Sequence, residues 1–139
     1  MVFNSMEHML GIFNGLFESL YNDPDTGSKL KKANMIVKWH IHDPTGILWL
    51  NSGEARLGIG DTDFKADVEL NISGDDVHLF MLRKLNLTKE IASGRIKVKG
   101  PVMKLLKFLP LIRSAQDQYP EVSKGFGLPV EGDNVHVTN

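Results

Sequence analysis

From residue 2 to residue 21, apolar residues recur at helical spacing. Val2, Met6, Met9, Leu10, Phe13, Leu16, Phe17 and Leu20 share one side, with Asn4, Glu7, Asn14 and Glu18 opposite. The pattern predicts an amphipathic helix. Asn4 and Glu7 have a capping-box-like spacing at its start, and Asn22-Asp23-Pro24 ends it. After a lysine-rich stretch the period shortens to two. Residues 35–42 place Met35, Val37, Trp39 and Ile41 on one face and Lys38, His40 and His42 on the other. Asp43-Pro44-Thr45-Gly46 has turn chemistry. Residues 47–50 are apolar on both faces, as in a covered central strand. Residues 54–59 and 64–72 alternate again, the latter with Ala66, Val68, Leu70 and Ile72 inward. The short connections predict an antiparallel meander of these four strands.

The helical period then returns. Ser73 is placed as an N-cap, with Asp75 and Asp76 in the favoured first turn and a helix running to about Lys84. Val77, Phe80, Met81 and Lys84 lie close to one side, and His78 is expected at the surface. Thr88 caps a short turn through Ala92, and residues 95–99 form a fifth strand with Ile96 and Val98 inward. Gly100-Pro101 opens a helix with Val102, Leu105, Leu106 and Leu109 on one side and Lys104 and Lys107 on the other. Pro110 kinks or ends it, so that Phe108 and Leu111 emerge beside the lysines. From about Ser114 the chain is polar and carries Pro120, Gly125, Gly127, Pro129 and Gly132, which predicts a loosely structured segment. The expected fold is α+β: a five-stranded, mostly antiparallel sheet covered by helices. Its expected bounds are residues 1–113, followed by a polar carboxyl-terminal tail over 114–139.

At 139 residues and 42% hydrophobic, the chain suits one domain with one core. The net charge of −1 gives no pull toward nucleic acid. It hides an asymmetry: residues 54–76 carry seven acids and two bases, whereas residues 83–113 carry nine bases and one acid. The basic segment either forms solvated faces or meets something anionic, such as a membrane surface or a ligand headgroup. The absence of cysteine excludes disulfides and thiol chemistry. No apolar run is long enough to span a bilayer, and neither a secretory signal nor a peroxisomal address is expected, so the expected location is the cytoplasm. His40 and His42 are two apart on one strand face, but no third ligand is nearby, and no metal is expected. No nucleophile elbow frames a serine, and Gly58-Ile59-Gly60 lacks the rest of a phosphate loop. No catalytic residues, no cofactor and no enzyme activity are expected.

Several motifs occur in a recognisable order. Ala66-Asp67-Val68-Glu69-Leu70-Asn71-Ile72-Ser73 precedes a helix with two early acids, followed by Lys84-Leu85-Asn86-Leu87. Then come Ser93-Gly94-Arg95-Ile96-Lys97-Val98-Lys99-Gly100 and Met103-Lys104-Leu105-Leu106, with Trp49 upstream. This set, over about residues 33–112, resembles the sterol carrier protein 2 family in its stand-alone form. The resemblance implies an apolar tunnel that takes a fatty acyl chain, an acyl-CoA, a sterol-like molecule or another apolar metabolite.

By composition alone, Phe13, Phe17, Phe80, Met81 and Met103 are read as packing the interior; the resemblance turns them into candidate ligand contacts. Trp39, Ile96, Val98, Leu106 and Leu109 complete the expected lining. Lys104, Lys107, Phe108, Leu111 and Arg113 are the expected contacts to a headgroup or to an anionic membrane. Two other roles stand beside the carrier. One is an accessory protein presenting an apolar intermediate, such as a quinone precursor, to a partner enzyme. The other is an interaction module without a ligand, with the exposed helix free to form a homodimer.

Overall fold

The computed structural model describes residues 1–128. In chain order the elements are α1 (Met6–Asn22), α2 (Pro24–Ala33), β1 (Ile36–His42), β2 (Gly46–Asn51), β3 (Arg56–Ile59), β4 (Val68–Ser73), α3 (Gly74–Met81), α4 (Leu87–Ala92), β5 (Lys97–Lys99), α5 (Val102–Phe108), a 3-10 turn (Leu109–Ile112) and α6 (Arg113–Gly125).

Helix α1 is capped one residue later than the sequence suggests. The Ser5 hydroxyl oxygen accepts from the His8 backbone N–H at 3.0 Å, so Asn4 is outside the cap. Asp23 ends α1 and at once begins α2, a helix the sequence pattern did not reveal. Its carboxylate accepts from the Thr26 hydroxyl at 2.7 Å, which with the Asp25 backbone N–H holds the carboxyl below its ordinary range. Pro24 therefore starts a helix rather than only stopping one, since a first-turn position needs no N–H donor.

The five strands lie in the order β3-β2-β1-β4-β5. β1, β2 and β3 form the expected antiparallel meander. β4 does not continue it. It crosses to the far side of β1 and pairs with β1 in parallel, and β5 then adds antiparallel to β4. Residues 64–67, expected as the first half of β4, are not strand. They bring the chain across the sheet instead: Phe64 lies against Trp49 with ring centroids 5.1 Å apart, and the Asp67 carboxylate accepts from the Ile36 N–H at 2.8 Å. Three of the four strand pairs are antiparallel, so the sheet stays mostly antiparallel.

The register sorts the faces. Val37, Trp39 and Ile41 align with Leu50, Leu48 and Gly46 on one side and with Val68, Leu70 and Ile72 on the other, which makes one continuous inner face. Trp49 points to the opposite face, where Phe64 and the Arg56 guanidinium, 5.5 Å from the indole centroid, cover it. The indole lies directly over Gly58; a Cβ there would stand 2.3 Å from Trp49 Cζ2. This roof explains why β2 is apolar on both faces.

The largest correction concerns the carboxyl-terminal segment. The loosely structured run expected from Ser114 is helical through Gly125. Ala115, Tyr119 and Ser123 recur at i, i+4 and i+8 and are buried. Burial of that face offsets the roughly 3 kcal/mol that a proline inside a helix costs, so Pro120 does not end it. The Ser19 hydroxyl of α1 donates to Gln118 Oε1 at 2.8 Å, tying the two helices together. Pro129 and Gly132 lie outside the described residues.

Because α6 docks there, His78 is fully buried rather than at the surface. Asn86, not Thr88, caps α4, accepting from the Lys89 N–H at 3.1 Å. Ser73 caps α3 as expected, accepting from the Asp76 N–H at 3.0 Å. Phe108 was expected beside the lysines at the surface, but it is only 2% exposed. The chain tightens into the 3-10 turn directly after it, which leaves Phe108 on the buried side with Leu105. Leu111 is half-buried against the same core.

Candidate functional site

The inner sheet face and the helices do not close on one another completely. Between them is a cavity of about 110 Å³ whose lining is apolar throughout. α1 contributes Phe13, Leu16, Phe17 and Leu20, at the helical spacing that puts them on one side. The sheet contributes Trp39, Leu48, Leu50, Leu57 and Ile72, all on the inner face by register. Val77, Phe80 and Met81 come from α3, and Leu87, Leu109, Ile112 and Ala115 complete the wall. A void with no polar partner holds water poorly and favours an apolar occupant.

Beside it is an open cleft of about 620 Å³. Phe80, Leu87 and Leu109 line both spaces and form the partition between them. The cleft is cationic: Arg83, Lys84 and Arg113 line it, with Asn86, Thr88 and Gln116, and among the described residues no carboxylate is in its wall. Arg83 adopts a left-handed backbone (φ 61°) just past the end of α3. Its guanidinium pairs with Asp117, whereas Lys84 and Arg113 have no ion pair to a carboxylate among the described residues. Gln116 Nε2 donates to the Phe80 carbonyl at 2.9 Å, fixing α6 to the partition.

The structure brings together six of the expected ligand contacts, Phe13, Phe17, Trp39, Phe80, Met81 and Leu109, around the cavity. Leu106 lines the cleft instead. Ile96 is buried away from the cavity, Val98 is half-buried opposite Leu70, and Met103 is 64% exposed. Of the expected headgroup residues, Arg113 reaches the cleft; Lys104 lies 3.3 Å from Asp67 Oδ1, and neither it nor Lys107 lines the cleft. Sequence reasoning did not place Arg83 and Lys84 at the cleft, nor Ile112 and Ala115 at the cavity. The period-two pattern already held the signal for Leu57 and Ile72.

His40 and His42 each have a local partner. His40 Nε2 lies 2.7 Å from Glu69 Oε1, and this contact holds the Glu69 carboxyl below its ordinary range. His42 Nδ1 is 3.7 Å from Asp43. Among the described residues no group of three His, Cys, Asp or Glu side chains could hold a metal ion, and no helix is long and apolar enough to cross a membrane.

Helices stacked on one face of a mixed sheet around an apolar void define the class of α+β domain to which this chain belongs. The chain belongs to the SCP-2 sterol transfer family, whose model matches residues 13–113. It is 28% identical over 116 residues to a fatty acid-binding protein of Yarrowia lipolytica, covering 76% of this chain and 89% of that one. The solved structure of sterol carrier protein 2 from Yarrowia lipolytica (apo form) superposes with a TM-score of 0.56 at 25% identity, covering 73% of this chain and 88% of that one. The peroxisomal multifunctional enzyme type 2 of Mus musculus is 34% identical over 79 residues, which are 53% of this chain and 11% of that enzyme. The family resemblance read from the ordered motifs, and the α+β fold it implied, both hold.

Proposed function

We propose that this protein is a non-catalytic carrier of an amphipathic lipid, with a fatty acyl chain as the leading ligand class. The observation that carries this function is the contiguity of the apolar cavity with the cationic cleft across Phe80, Leu87 and Leu109. An acyl chain would enter the cavity while its carboxylate, or the phosphates of an acyl-CoA, stayed among Arg83, Lys84 and Arg113. A sterol-like molecule would use the same cavity without that charge. The name of the fatty acid-binding relative from Yarrowia lipolytica supports the leading class.

The cavity of about 110 Å³ is smaller than the roughly 300–1,000 Å³ of usual ligand pockets. Loading therefore requires the partition side chains to move aside and join cavity to cleft. Affinity would come from apolar burial, at about 25 cal/mol per Å² before ordering costs. Ala115 and Ile112 belong to the lining, so the binding unit extends past residue 113 to include α6. Such a carrier works in an aqueous compartment, the cytoplasm in this proposal. Native purification followed by lipid mass spectrometry tests it. A stoichiometric acyl lipid is the expected result. An empty extract, followed by no uptake of a fluorescent fatty acid, ends the proposal.

A further inference from the structure

We propose that the exposed face of α5 docks on an anionic bilayer and sets the mouth of the cleft against it. Met103, Lys107 and Pro110 follow one another at i, i+4 and i+7, so they form a stripe along one side of α5 and the turn after it. All three are exposed, Met103 by 64%. The stripe runs into the cleft: Pro110 is part of its wall, together with Leu106, Leu109 and Arg113 on the same stretch of chain. A surface laid on the stripe therefore also meets the cleft's rim.

Charge identifies the partner. Residues 83–113 carry nine basic side chains and one acid. Arg83, Arg95 and Lys104 are neutralised by Asp117, by Asp76 with Glu90, and by Asp67. The other six, Lys84, Lys89, Lys97, Lys99, Lys107 and Arg113, have no ion pair to a carboxylate among the described residues, and three of them, Lys84, Lys107 and Arg113, lie along α5 and the rim it borders. An exposed methionine in a setting of unpaired cations fits a lipid–water interface with negative headgroups, where the charges meet phosphate and the thioether enters the acyl boundary. The docking face serves the carrier function proposed above, and its failure can be separated from that function's failure.

The test is flotation with vesicles of phosphatidylcholine alone and of phosphatidylcholine with phosphatidylserine, at low and high salt. The wild-type chain should bind the anionic vesicles at low salt and leave them as salt screens the contact. Met103→Ser with Lys107→Gln should weaken that binding, about fivefold from the charge alone. Lys31→Gln with Lys32→Gln, two exposed lysines of α2, should leave it close to wild type. Equal binding to neutral vesicles, an unchanged α5 variant, or an equal loss in the α2 variant would each overturn the proposal. Uptake of a fluorescent fatty acid in vesicle-free solution is the separate readout of the carrier function. The α5 variant should keep it, because Met103 and Lys107 line neither the cavity nor the cleft.

Discussion

The Tyr119 hydroxyl of α6 lies 2.6 Å from Nδ1 of His78 on α3, and neither residue has any exposed surface. The two rings sit 5.4 Å apart at 63°, with Phe13 of α1 stacked on Tyr119 and Phe3 edge-on to His78. This polar contact inside an aromatic cluster fixes α6 over the helices that wall the cavity. Tyr119→Phe keeps the ring and deletes the hydroxyl. The expected loss is about 1–3 kcal/mol, because a buried imidazole nitrogen loses its phenolic partner. Urea unfolding followed by circular dichroism measures it, and an unchanged midpoint would mean that the contact does not anchor α6.

The chain has two tyrosines, and burial raises the pKa of both. Tyr21 is pushed up to about 12, and its hydroxyl donates to the Ser52 carbonyl at 2.6 Å. A phenol whose folded pKa exceeds its unfolded value of 10.0 stabilises the fold fully below that value and loses this contribution as pH rises toward 12. Phenolate absorbance should therefore stay low as the folded protein passes pH 10, then rise together with alkaline unfolding. A full tyrosine titration near pH 10 in folded protein would contradict the raised pKa of both phenols.

Ala115 lines the cavity and is only 4% exposed, so a larger side chain there fills the space the proposed ligand would take. Ala115→Leu should reduce fatty acid uptake while the thermal midpoint holds or rises, as cavity filling usually allows. Phe108→Ala should do the reverse. It should cost about 3–5 kcal/mol, since the ring is 2% exposed in the core, and leave the affinity of the folded fraction close to wild type. Equal uptake by the Leu variant and the wild-type chain would place the ligand elsewhere.

In the proposed carrier, Lys84 and Arg113 would bear on anionic heads and not on neutral ones. Lys84→Gln with Arg113→Gln should weaken binding of a fatty acid by about 0.4–2 kcal/mol in total, the range for two exposed charge contacts. The corresponding fatty alcohol should bind as before. Competition with a fluorescent probe reads both, and a parallel loss for acid and alcohol would remove the headgroup role.

Gly58→Ala places a methyl group 2.3 Å from the Trp49 ring, which is rigid and packed against Phe64 and Arg56. Overpacking of this kind costs about 1–3 kcal/mol. Indole fluorescence should shift toward that of exposed tryptophan as the roof over β2 opens.

The one-dimensional pattern determined the elements wherever a single period ran uninterrupted. α1, the three meander strands, the Ser73 cap and the apolar inward positions of β4 follow from side-chain direction alone, because a helix repeats every 3.6 residues and a strand every two. The ordered motifs also determined the family. Tertiary structure decided the rest. Whether β4 extends the meander or crosses to pair with β1 depends on Phe64 and Asp67 finding Trp49 and the Ile36 N–H across the sheet. Whether residues after 113 form a helix depends on a face made of Ala115, Tyr119 and Ser123, too weakly apolar to signal itself until α1 and α3 bury it. The site divided in the same way. Phe13, Phe17, Trp39, Phe80 and Met81 were legible as inward apolar groups, but which inward groups meet a void and which meet each other is set by how far the layers fail to close. The cations that line the cleft are Arg83, Lys84 and Arg113 rather than Lys104 and Lys107 for a similar reason: helix spacing says which residues leave the core, and only the packing of α3, α6 and the 3-10 turn says which of them face one cleft.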